Sequence, residues 1–131
     1  MKKLLLVAAV LFLQGCAGIT GLIPSFWDDN QSARITSVRL DIERVDCKAQ
    51  QLPQVIKIRD DLAWFKLYSE SKGGRQADVI LLTKPMTETV EDWYKRASTE
   101  GHKDNAIYCD LKKRVLTEQS ARAAKAILGR F

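Results

Sequence analysis

Apolar residues recur along this chain at helical spacing. Ile35, Val38, Ile42, Val45, Ala49 and Leu52 step alternately by three and four, and mostly polar residues fill the gaps. This predicts one helical seam, with Pro53 in the first turn of the helix that follows. Val55, Ile58, Leu62 and Phe65 continue the spacing, and Trp64, Leu67 and Tyr68 widen the apolar face. Lys72-Gly73-Gly74 supplies a cationic last turn and a glycine stop. Residues 76–83, QADVILLT, fit a short helix or a strand on composition alone. Pro85 interrupts next, so a kink or restart is expected there. Met86, Val90, Trp93 and Ala97 then mark a helical segment that ends near Gly101. A last helix starts at Asp104 or Asn105, either a good N-cap, and turns Ile107, Leu111, Val115, Ala121, Ala124 and Leu128 inward. Four helices with short connections make an all-α, antiparallel up-down four-helix bundle with a kinked third helix.

The first residues follow another rule. Met1, Lys2 and Lys3 form a short positive stretch, and Leu4 to Leu13 is unbroken apolar sequence. A membrane-spanning helix needs about 20 apolar residues. This run is too short for a span and suits a cleaved signal peptide, with its lysines on the cytoplasmic side. The run closes in Leu13-Gln14-Gly15-Cys16. That tetrad resembles a bacterial lipobox, with an aliphatic residue three before the cysteine and a small one beside it; Gln14 is the less usual member. The resemblance implies cleavage before Cys16, with diacylglycerol and an N-acyl chain on that cysteine as the only covalent group. Ala17, where an aspartate would imply retention at the inner membrane, implies an outer-membrane destination facing the periplasm.

The expected organisation is therefore a signal peptide over 1–15, a lipidated tether over 16–27 and a helical domain over 28–131. Gly18, Gly21 and Pro24 break regular structure in the tether. Ser25 is a candidate helix N-cap, with acidic Asp28 three residues later. Phe26 and Trp27 are candidate membrane-interface residues, where aromatic rings are favoured; stapling the tether onto the domain is the equal alternative.

The chain has three cysteines. With Cys16 given to lipid, Cys47 and Cys109 remain. An even pair in an oxidising compartment predicts a disulfide, two buried free thiols being the alternative. In an up-down bundle both positions fall at the same end, on adjacent helices. The formal charge is +5, and residues 103–131 carry seven basic residues against Asp104, Asp110 and Glu118. Lys112, Lys113 and Arg114 are thus candidate contacts for anionic lipid head groups or lipopolysaccharide phosphates, against the plainer reading of a solvated charged face.

Little else points to chemistry. His102 stands alone in a Gly-His-Lys-Asp turn, and no Cys/His cluster has metal-ligand spacing. Gly73-Gly74 lacks the lysine and hydroxyl spacing of a phosphate loop. The acidic pairs Asp28-Asp29, Asp60-Asp61 and Glu91-Asp92 could serve acid–base work on a cell-wall sugar. On amphipathic helices, however, such pairs are ordinarily solvated and matched by basic neighbours. No nucleic-acid partner, metal or small-molecule substrate is expected, and a non-enzymatic role is.

Three runs carry one further resemblance: Leu22-Ile-Pro-Ser-Phe-Trp-Asp-Asp-Asn-Gln-Ser32, Trp64-Phe-Lys-Leu-Tyr-Ser-Glu-Ser-Lys-Gly73 and Leu128-Gly-Arg-Phe131. They resemble small lipoproteins encoded by tailed bacteriophages. The resemblance implies contact with an envelope protein, as in envelope modification or receptor blocking. The alternative is an outer-membrane spanin-like subunit in lysis, although such subunits are often short and proline-rich, unlike this chain.

Overall fold

The computed structural model describes residues 28–101 and 104–129. Cys16, Phe26, Trp27 and His102 lie outside them. The described residues form four α-helices: α1 (Asp29–Glu43), α2 (Gln51–Ser71), α3 (Ala77–Ala97) and α4 (Ala106–Leu128). A single 3-10 turn, Gly74–Gln76, precedes α3, and no strand occurs among the described residues. Each helix packs on its chain neighbours, and α1 closes the ring against α4, which makes a four-helix bundle.

The core follows the 3–4 periodicity of the first three helices. Ile35, Val38 and Ile42 of α1, Val55, Ile58, Leu62 and Phe65 of α2, and Met86, Val90 and Trp93 of α3 are all buried. Phe65 and Trp93 are among the largest fully buried side chains, and truncating either to alanine costs about 3–5 kcal/mol.

Several expected details differ. The helix expected from Ser25 begins after Asp28, whose carboxylate accepts the Gln31 N–H at 3.0 Å. The seam from Ile35 to Leu52 is not one helix. It ends at Glu43, and Asp46 then accepts the Lys48 N–H on its side chain, the local competition that turns a chain out of helix. The 3–4 spacing crosses this turn by coincidence, leaving Ala49 exposed and Leu52 only partly buried. On α2, Trp64 and Leu67 face outward rather than widening the core face, with Leu67 65% exposed.

Residues 76–83 are helical, and α3 runs through Pro85 without a restart. Proline in a helix interior costs about 3 kcal/mol, because it removes one hydrogen bond and crowds the preceding turn. Val79 and Thr83 before it, and Met86 and Val90 after it, are buried on one face. Packing on both sides of Pro85 thus holds the helix together.

The largest difference is in α4. Ile107 and Leu111, expected inside, are 84% and 45% exposed, and Ala121 is exposed as well. The buried face is Cys109, Leu116, Ser120, Ala123, Ala124 and Ile127. Val115 and Leu128 sit at its margins. Of the buried residues only Leu116 and Ile127 are large and apolar, so the inward face of α4 is built mostly from small residues.

Among the described residues Gly73, Gly101 and Asp104 lie in the left-handed region. Gly73, at φ +82°, leads into the 3-10 turn without the penalty a side chain would bring. Asp104 adopts φ +62°, a conformation asparagine and aspartate tolerate better than most residues.

Candidate functional site

The disulfide joins Cys47, just beyond α1, to Cys109 in the first turn of α4, with Cα atoms 5.6 Å apart. Around it the ends of four helices are tied by polar groups. Asn105 caps α4 by accepting the Tyr108 N–H at 2.9 Å. Asp104 instead reaches across the bundle and accepts the Gln51 N–H at 2.8 Å. It caps α2, whose own preceding residue Gln50 makes no side-chain cap. The buried Trp93 indole donates to Gln51 Oε1 at 3.2 Å.

The opposite end is closed without a covalent bond. Gln31 Nε2 donates to Ser69 Oγ at 3.0 Å and to Gln76 Oε1 at 3.1 Å, and all three residues are buried. Outside this plug, the Tyr68 hydroxyl donates to Asp28 at 3.2 Å and accepts from Asn30 Nδ2 at 2.8 Å. The chain therefore enters the fold stitched to the C-terminal half of α2.

Aromatic rings and cations line the outer seams. Arg34 of α1 stacks over Trp64 of α2, 4.3 Å from the ring centre, and Trp64 lies flat against Tyr68. Arg59 of α2 covers Tyr94 of α3, and Arg96 of α3 covers Tyr108 of α4. Contacts of this kind contribute about 0.5–1 kcal/mol each at exposed sites. The periodicity of apolar residues gave no sign of them, because they join long polar side chains on different helices.

The basic trio separates. Lys112 is largely covered, bonded to Asp92 and lying over Tyr108. Burial lowers its pKa, but hydrogen bonds to Asp92 and Tyr108 outweigh this and raise it overall. The hydrogen bond from Lys112, with that from Tyr108, holds the Asp92 carboxyl below its usual range. Lys113 donates to the Val45 carbonyl at 2.7 Å, fastening α4 to the chain beyond α1. Arg114 is exposed.

The acidic pairs are engaged too. Asp28 caps α1, Asp61 pairs with Arg34 at 2.6 Å, and Glu91 pairs with Arg59 at 2.6 Å. The hydrogen bond to Glu91 raises the pKa of Arg59. Among the described residues no three His, Cys, Asp or Glu gather as a metal site would require. A shallow groove of about 210 Å³ runs between α2 and α3, lined by Lys66, Ile80, Leu81, Thr83, Lys84 and Thr87. A second depression of about 320 Å³ lies at the disulfide end, where Asp104 is committed to its cap. In the first groove the Thr83 and Thr87 hydroxyls donate to backbone carbonyls of their own helix. No described helix is long and apolar enough to cross a membrane. Comparison with protein-family models, curated proteins and solved structures finds no match for this chain.

Proposed function

We propose that this protein is an envelope lipoprotein, held at the outer membrane by lipid on Cys16 and acting in the periplasm by contact rather than by catalysis. The observation that carries the reading is Leu13-Gln14-Gly15-Cys16 closing the apolar run from Leu4. The pairing of Cys47 with Cys109 supports it in two ways. It occupies the other two of the chain's three cysteines, leaving the Cys16 thiol for a lipid. It also suits an oxidising compartment, where such bonds form and persist. One acyl chain binds a membrane only marginally, whereas several together hold a protein firmly. The engagement of one or both members of each acidic pair by caps or cations favours a contact role over acid–base work.

Labelling of expressing cells with radioactive palmitate tests the anchor. Label should enter the protein and disappear in Cys16→Ser; equal labelling of the variant overturns the assignment. Crosslinking in cells followed by mass spectrometry addresses the partner. An outer-membrane porin among the products favours receptor blocking, and an inner-membrane coiled-coil protein favours the spanin-like role. Hydrolysis of purified cell-wall sacculi by the protein would overturn the non-catalytic reading.

A further inference from the structure

Most outer cations of the first three helices are occupied, Arg39 of α1 being an exception. Arg34 is held by Asp61 and Trp64, Arg59 by Glu91 and Tyr94, Lys72 by Asp28 and Tyr68, and Arg96 by Tyr108. The outer face of α4 is different. Ile107, Leu111, Arg114, Glu118, Arg122 and Lys125 recur every three or four residues, and all are exposed. They form one stripe along a helix of 23 residues, about 35 Å long. Its upper turn bears Ile107, the most exposed of the large apolar side chains outside the core, with Leu111 beneath it. Its lower turns bear three cations, and Glu118 is the one acid in the stripe, with Asp110 beside it. Among the described residues none of the three cations has an ion pair or ring contact.

Exposed apolar side chains and unpartnered cations on one helix face suit a helix lying in the plane of an anionic bilayer surface, the apolar residues entering the acyl boundary and the cations reaching the phosphates. The position of the anchor agrees. The C-terminal half of α4 packs beside the start of α1, so Arg122 and Lys125 lie at the end where residue 28 enters the bundle. From Cys16 to Trp27 an extended chain reaches about 40 Å. That is enough for the bundle to lie on its side with α4 against the lipid.

We infer that the outer face of α4 is a membrane-docking surface, with Ile107 and Leu111 entering the interface and Arg114, Arg122 and Lys125 meeting anionic phospholipid phosphates. The inference rests on the Cys16 anchor and adds an orientation to it. It replaces Lys112 and Lys113, which are engaged inside the molecule, with Arg122 and Lys125, about two and three turns beyond Arg114.

The test uses the full lipidated chain in vesicles of phosphatidylcholine with or without phosphatidylglycerol. An environment-sensitive fluorophore is placed on Ala121→Cys, on the α4 face, or on Leu67→Cys, on the diagonally opposite α2. With anionic lipid, the label on α4 should shift to the blue and be quenched by a lipid-borne quencher, and the label on α2 should do neither. The Arg114→Glu/Arg122→Glu/Lys125→Glu variant should lose the shift, as should the parent chain at high salt, which screens such contacts. Co-flotation with vesicles is read on the same samples. Flotation with equal signals at both labels, or with energy transfer between copies in place of quenching, overturns the docking surface and leaves the anchor standing. Loss of flotation overturns both.

Discussion

At one end of the bundle the chain is closed by a bond that water cannot compete for; at the other it is closed by amide and hydroxyl groups that water can. Cys47–Cys109 joins the chain beyond α1 to α4, and the Asp104 cap and the Trp93–Gln51 hydrogen bond surround it. Gln31, Ser69 and Gln76 plug the end where the proposed tether enters. The difference separates two sources of strength. A disulfide acts mainly on the unfolded chain, whose freedom it restricts. A buried polar plug acts on the folded state, where its partners are costly to leave unsatisfied. Redox conditions should therefore control the global stability of the domain, whereas single side chains should control local opening at the plugged end.

The largest expected effect is loss of the bridge. Its closure spans a sequence separation of 62 residues. For a loop of that size the chain-entropy relation gives about 4 kcal/mol. Urea unfolding with and without reductant should show a large drop in midpoint. Coincident curves would mean that the two ends do not differ in this way.

Replacing Gln31 by alanine removes the donor shared by Ser69 and Gln76 and opens space in the plug, for a loss of about 2 kcal/mol. Hydrogen exchange should quicken first in the early turns of α1 and the last turns of α2. Equal acceleration around Cys109 would break the proposed separation of the ends.

Asp104→Ala removes the cap on α2 and leaves alanine at a positive φ, so about 1 kcal/mol should be lost. Asp104→Asn should recover part of it, since asparagine tolerates this backbone and can still accept from Gln51 N–H. Thermal melts of the two variants measure the difference.

The smallest effect is with pH. Asp92 is bonded to Lys112 and Tyr108, and its folded pKa is lowered. Its contribution is therefore present above the unfolded pKa and fades as pH falls through the acid range toward the lowered folded value. The carboxylate is 62% exposed, so solvent screening keeps the contribution to a fraction of a kcal/mol. Asp92→Asn should flatten the acid limb of stability slightly; an unchanged slope would show the pair to be energetically silent.

The helices that could be read correctly share one property: an apolar seam stepping by three and four lies on the face that packs. Ile35, Val38 and Ile42, or Val55, Ile58 and Phe65, show this plainly. In α4 the rule fails. Ile107 and Leu111 are outside, and Cys109, Ser120 and Ala123 are inside. The bond to Cys47 turns Cys109 inward and fixes the rotation of α4, which periodicity alone does not record. The spacing signal was likewise blind at Ala49, because it has no means of seeing that Asp46 turns the chain out of helix.

For the candidate site the balance is different. A lipid site at Cys16, which stays a proposal, and the disulfide pair, which is formed, could both be proposed from composition, spacing and compartment. Which cations remain available could not. Lys112, Lys113 and Arg114 are consecutive, yet Lys112 turns toward α3, Lys113 toward the chain after α1, and Arg114 toward solvent. Successive residues on a helix are turned about 100° apart, so a run of charge in sequence is not a patch in space.

By itself the sequence determined the number of helices, the main core seams of the first two and of the later part of the third, and which cysteines could meet, because helical period and chain connectivity are local or topological properties. Only the tertiary structure decided the rotation of α4, the assignment of Asp104 to the cap of α2 rather than α4, and the unbroken passage of α3 through Pro85. Each depends on what a neighbouring helix presents at a given point, and that is known only once the helices are packed.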